Sequence, residues 1–112
     1  MDGELGNGAR TTGAPMPQVI YSPGAIRDLQ RLREYLFERN QAVARRAVNT
    51  LRKAFHAIGT HPLAGRPVED LPDEVREWVI PFGNSGYIAR YLVGEKTVTI
   101  LAIRHQREID YQ

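Results

Sequence analysis

The chain has no cysteine, one tryptophan (Trp78) and only two lysines, Lys53 and Lys96. Without cysteine there is no disulfide, thiolate nucleophile or cysteine-based metal site, and a reducing, cytoplasmic setting is expected. No apolar run approaches the ~20 residues of a membrane-spanning helix, so no membrane partner is expected. No glycine-rich phosphate loop follows a strand, and no Ser/His/Asp set is arranged for nucleophilic catalysis. No His/Asp/Glu spacing points to a metal, and no cofactor is expected.

The 112 residues are 42% hydrophobic and 25% charged, ordinary values for one domain with a modest core. Met1 to Pro15 hold four glycines and two threonines with no apolar periodicity. They cannot bury enough surface to offset ordering, and they lack the apolar stretch of a secretory signal. They read as a disordered leader or tag, with one domain at residues 16–112. Charge is uneven. Residues 22–60 carry eight cations against three acids, a net of +5, whereas residues 61–112 carry six against eight, a net of −2.

Gln18 to Tyr21 reads as a short strand. Ser22-Pro23 then supplies an N-cap hydroxyl and a proline at the first helical position. Ile26, Leu29, Leu32 and Leu36 mark one face of a first helix ending near Arg39. Asn40 caps a second, whose stripe is Ala44, Ala47, Val48, Leu51, Ala54, Phe55 and Ile58. Gly59 sits where a left-handed C-cap belongs, and Pro62 prevents continuation. His61 to Pro72 reads as an ordered loop. Three strands follow: Val75 to Phe82, Tyr87 to Val93 and Thr97 to Arg104, with Gly83–Gly86 and Gly94–Lys96 as turns. The order β-α-α-β-β-β is an α+β domain, a helical hairpin on one face of an antiparallel sheet. Ile100-Leu101-Ala102-Ile103 is continuously apolar. Such a run points to burial on both faces, or to one core face and one concave, partly covered face.

These features together resemble one family. The element order, His61-Pro62-Leu63-Ala64-Gly65-Arg66-Pro67, Arg76-Glu77-Trp78-Val79-Ile80, Tyr87-Ile88-Ala89-Arg90-Tyr91 and Ile100-Leu101-Ala102-Ile103-Arg104-His105-Gln106-Arg107 are similar to the RelE/ParE superfamily of type II toxin–antitoxin toxins. The resemblance covers residues 17–108 and is closer to the ParE-like, plasmid-stabilising members. It implies a RelE/ParE-like fold and one of two activities. RelE-like members are ribosome-dependent messenger-RNA endonucleases; ParE-like members inhibit DNA gyrase without a nuclease site. An inactive member that only binds its antitoxin is the third reading.

Metal-independent RNA cleavage needs a base for the 2′-hydroxyl, a cation for the charged phosphorane and an acid for the leaving oxygen. The resemblance would assign these roles to Arg76, Arg90, His105, Arg107 and Tyr111. His105 alone among them has an ordinary pKa near neutrality. Against cleavage stand the scarcity of lysine, the net negative sheet half, and Glu108 and Asp110 beside the site. Gyrase inhibition by surface contact is therefore preferred, with Trp78, Arg90, Arg104, His105 and Arg107 as target contacts and no catalytic residue. In the structural alternative, Trp78 packs in the core and the charged residues form ordinary surface pairs. The resemblance also implies a cognate antitoxin, ParD-like or other, and contact with DNA only through the antitoxin complex. Arg27, Arg31, Arg45 and Arg52 on the basic helices are the candidate antitoxin contacts, since antitoxin segments are commonly acidic and amphipathic.

Overall fold

The computed structural model describes residues 17–106. Residues 1–15, expected to be a leader or tag, and the candidates Arg107 and Tyr111 lie outside that range. Strand β1 (Gln18–Tyr21) leads into helix α1 (Pro23–Arg39) and helix α2 (Gln41–Thr60). A 3-10 turn at Pro62–Ala64 precedes β2 (Arg66–Pro67), β3 (Val75–Phe82), β4 (Ser85–Val93) and β5 (Thr97–His105). The five strands form one sheet in the order β1-β5-β4-β3-β2. No helix among the described residues is long and apolar enough to cross a membrane.

Both helix starts follow the expected capping chemistry. Ser22 Oγ accepts from the Ala25 amide at 3.0 Å, with Pro23 beginning the helix. Asn40 serves twice: its amide donates to Leu36 O at 2.8 Å, closing α1, and its Oδ1 accepts from Val43 N at 3.1 Å, opening α2. One residue thus makes the corner, so the helices fold back as a hairpin.

The hairpin covers one face of the sheet. Ala25 and Leu32 from α1 and Leu51, Phe55 and Ile58 from α2 form one cluster with Ile80, Tyr87, Ala89, Tyr91, Val98, Ile100 and Ile103. The α2 stripe is as expected. The α1 face is rotated: Ile26 is 46% exposed, and Asp28 is buried in its stead.

Several details depart from the sequence expectations, each for a local reason. Gly59 is no C-cap. The helix runs through it to Thr60 and closes with His61 N donating to Ala57 O at 2.8 Å. Gly59 is needed for closeness, because a Cβ there would meet Val19 Cγ2 of β1 at 2.7 Å. Within the supposed loop, Pro62–Ala64 forms a 3-10 turn and Arg66–Pro67 adds an edge strand against Glu77 and Arg76. The sheet is mixed, because β1 pairs with β5 in parallel. The two intervening helices supply the long crossover a parallel pair requires. The β3–β4 hairpin turns through two residues, Gly83 and Asn84, with φ +60° at Gly83, a backbone region where glycine carries no Cβ penalty.

The continuous run in β5 has a different origin from either expected one. Arg90 pairs with Ala102 but Tyr91 with Ile100, so Leu101 is an extra residue and β5 carries a bulge. The bulge shifts the inward phase: Ile100 and Ile103 are both fully buried, while Leu101 and Ala102 are half-buried. The run is continuous because it spans a change of phase.

The loop after α2 is latched to the sheet by a buried phenol. Tyr91 OH donates to Pro62 O at 2.7 Å and accepts from Gly65 N at 2.9 Å. Tyr91→Phe leaves that buried amide without its acceptor, and should lower unfolding free energy by about 1–3 kcal/mol in a denaturant titration. Burial also raises the pKa of Tyr21, Tyr87 and Tyr91 above the ordinary 10.0; Arg52 opposes this at Tyr21, and the Gly65 bond and Arg76 oppose it at Tyr91. The folded state therefore holds these protons more tightly than the unfolded chain. The associated stability is full below pH 10 and is lost as pH rises through the raised values. Phenolate absorbance should accordingly lag that of free tyrosine, and the tyrosines' contribution to thermal stability should fall in the alkaline range.

Candidate functional site

The strand registers decide which charged side chains meet. Glu77 lies opposite both Arg66 of β2 and Arg90 of β4. Its carboxylate binds Arg90 at 2.7 Å through Nη2 and 3.1 Å through Nε, and reaches Arg66 Nη2 at 3.7 Å. This row lies on the face away from the helices. Arg104 stands opposite Ile88, diagonal to Arg90 on the same face, and is exposed. Diagonal positions lie about 7–8 Å apart, within reach of long side chains. The open face thus carries a stripe of three arginines and one carboxylate, beside the partly exposed Ile20, Val79 and Leu92. Arg66 was not among the sequence candidates. Its only signal was a place in the Gly65-Arg66-Pro67 run, because the short strand that aligns it with Glu77 has no periodicity to read.

Arg76 is on the opposite face. Its Nη1 donates to Gly65 O at 2.8 Å and to Leu63 O at 3.2 Å, gathering the carbonyls of the loop that Tyr91 also holds. Its Nε is buried without a hydrogen-bond partner among the described residues. Trp78, on the same face, is partly buried and packs against the core.

His105 also turns toward the helix side. It lies opposite Tyr87, with the two rings edge to face at 5.3 Å. It lines a hollow of about 740 Å³ together with Arg31, Tyr35, Leu36, Phe82 and Asn84. Arg104 and His105, adjacent in sequence, therefore serve opposite faces. Of the nuclease candidates within the described residues, Arg90 is on the open face, Arg76 braces the loop, and His105 lies at the other end of the helix face. The structure does not bring these three together. Among the described residues no group of three or more His, Asp or Glu side chains gathers to hold a metal.

The helical hairpin carries a second hollow. About 820 Å³ open between α1 and α2, lined by Phe37, Val48 and Ala44 with Arg33, Arg45 and Arg52, and by Glu34 and Glu38. Phe37 is 51% exposed. Arg45 and Arg52 of the proposed antitoxin set meet here. Arg31 lines the other hollow and pairs with Asp28 at 3.4 Å, and Arg27 is exposed on α1 without lining either.

Residues 19–110 match the family model described as the ParE toxin of the type II toxin–antitoxin system parDE. The chain belongs to the ParE toxin family. This ParE-family chain is 33% identical over 93 residues to Toxin RelE3 of Caulobacter vibrioides, covering 83% of this chain and 98% of the relative. It is 36% identical over 90 residues to Toxin RelE1 of the same organism, covering 80% and 94%. Its fold matches a chain of the chromosomal ParDE system from P. aeruginosa with a TM-score of 0.63, at 18% identity, covering 80% of this chain and 96% of that one. It is a type II toxin of the ParE/RelE superfamily.

The two roles open to Arg76 in this ParE-family chain make different predictions. Both carbonyls are met by one guanidinium nitrogen, Nη1, so a side chain without that donor leaves both unmet. Arg76→Met should therefore cost about 1.5–3 kcal/mol of stability by chemical denaturation, and any loss of toxicity should scale with the fraction unfolded. Full stability with lost toxicity would instead assign Arg76 to the target.

Proposed function

We propose that this toxin acts by binding DNA gyrase and stalling it with DNA broken, as a ParE-like inhibitor that performs no chemistry of its own. The observation that carries this reading is the dispersal of the reactive side chains among the described residues. Cleavage through the 2′-hydroxyl requires a proton acceptor, a phosphorane-stabilising cation and a proton donor around one phosphate. Here His105 faces the helices, Arg90 and Arg104 face the open sheet, and Glu77 neutralises Arg90. A carboxylate 2.7 Å from that guanidinium opposes its use on a phosphate. The open face suits a protein surface better: apolar Val79, Ile88 and Leu92 alternate with a positive stripe, a mixture that sets orientation and register.

A second reading has its own support. The relatives of about one-third identity are named RelE toxins, and a ribosome-dependent messenger-RNA endonuclease would use Arg76, Arg90, His105, Arg107 and Tyr111, the last two beyond the described range.

In either case we propose neutralisation by a cognate antitoxin whose amphipathic, acidic segment lies between α1 and α2. Support comes from the hollow there, which combines exposed Phe37 and partly exposed Val48 with Arg33, Arg45 and Arg52. DNA contact would come only through that complex.

Purified toxin added to a gyrase supercoiling reaction should yield linearised plasmid, and added to translating ribosomes should leave messenger RNA intact; codon-phased cuts in the message would sink the gyrase reading. His105→Ala should remain toxic within about tenfold if the histidine is only a contact, and lose at least about a hundredfold if it is a proton-transfer group. Growth inhibition on titrated induction measures the difference.

A further inference from the structure

The outer edge of β5 loses its strand neighbour halfway along. β1 pairs with it only as far as Tyr21 opposite Ile100, where α1 begins. Three groups on this edge are then met by the start of α1. Ile100 O accepts from Ser22 N at 2.9 Å, and Leu101 O accepts from Ser22 Oγ at 3.1 Å. Ile103 N donates to Asp28 Oδ2 at 2.9 Å. Asp28 is 7% exposed and is the one buried charged residue among the described residues. Its second oxygen pairs with Arg31 at 3.4 Å, so the carboxylate is bonded on both sides.

These bonds bracket the bulge, and the bulge decides what the strand end presents. In an unbroken strand the inward set Val98, Ile100 would continue to Ala102 and Arg104, with His105 on the open face. With Leu101 bulged, the inward set becomes Val98, Ile100, Ile103 and His105, with Arg104 outside. A one-residue slip exchanges faces. The apolar pattern weakly separates the two, because Leu101, Ala102 and Ile103 offer an apolar side chain to the core in either phase. The Ile103 amide does separate them, since only the bulged phase turns it to a buried acceptor on α1.

We infer that Asp28, assisted by Ser22, is a positioning residue that selects the bulged register of β5 and thereby assigns His105 to the helix-side hollow and Arg104 to the open face. This assignment holds whichever macromolecule the toxin attacks, because it concerns which face each side chain serves.

The test uses the full chain with isotope labels. Asp28→Ala, with far-UV circular dichroism as a check on folding, should lose the ring-to-ring nuclear Overhauser contact between Tyr87 and His105. Hydrogen-exchange protection of the Ile103 amide should fall by about tenfold to a hundredfold relative to that of Ala89 on β4. Asp28→Asn keeps an acceptor oxygen and should retain the ring contact and most of the protection. Should the alanine variant not fold, Ser22→Ala removes the bond to Leu101 O together with the α1 cap at Ala25 N, leaves the Asp28 carboxylate in place, and should weaken both signals in the same direction. A retained ring contact and unchanged Ile103 protection in Asp28→Ala, or in Ser22→Ala where that stands in, would overturn the inference. So would an asparagine variant indistinguishable from alanine.

Discussion

Everything on the sheet's far end depends on how the outer edge of β5 is satisfied once β1 has turned into α1. A strand edge with open carbonyls and amides is costly where a helix screens it from water. Ser22 and Asp28 supply the missing partners from the helix itself. Ser22 Oγ both accepts from the Ala25 amide and donates to Leu101 O, so one hydroxyl ties the helix start to the strand. Burying the Asp28 carboxylate at an otherwise apolar helix face is tolerable because a backbone amide and Arg31 meet it. The parallel β1–β5 pair, the start of α1 and the bulge are one junction.

That junction, together with the antiparallel register of β3, β4 and β5, separates the protein's charged residues into groups with different work. Arg76 and Tyr91 spend their hydrogen bonds on the loop after α2. Glu77 organises Arg66 and Arg90 on the open face, where Arg104 joins them. The helix pair holds its own basic, partly apolar hollow. A toxin is held inactive by one partner and reaches another, and two separate arginine-bearing surfaces on opposite sides of one small domain are compatible with both. Among the described residues Arg76, Arg90 and His105 serve separate faces or ends of the domain and do not converge on one point.

Much of the fold was legible. The α2 stripe is long and strictly periodic, Ser22-Pro23 and Asn40 are strong capping signals, and the glycine turns mark the strand hairpins. Ile26 misled because a stripe at helical spacing was read without a reason for a carboxylate to replace it, and the reason lies 75 residues away at Ile103. Gly59 looked like a cap because glycine commonly ends helices; its actual constraint is the approach of Val19, a tertiary fact. Arg66–Pro67 is too short for any pattern, and its pairing with Glu77 follows directly on Gly65, which Tyr91 and Arg76 hold.

The candidate site divides in the same way. Residue identities and their periods sufficed for the family resemblance, the two-layer α+β class and the basic character of the helical half. They did so because burial must follow the helical or strand repeat, and the repeat is written locally. Which face His105 takes, whether Arg90 is paired, and whether Arg76 points at a ligand or at its own backbone were settled only in three dimensions. Each turns on register and on partners far away in the chain, and in β5 a single bulged residue reverses the alternation that a sequence reading must assume.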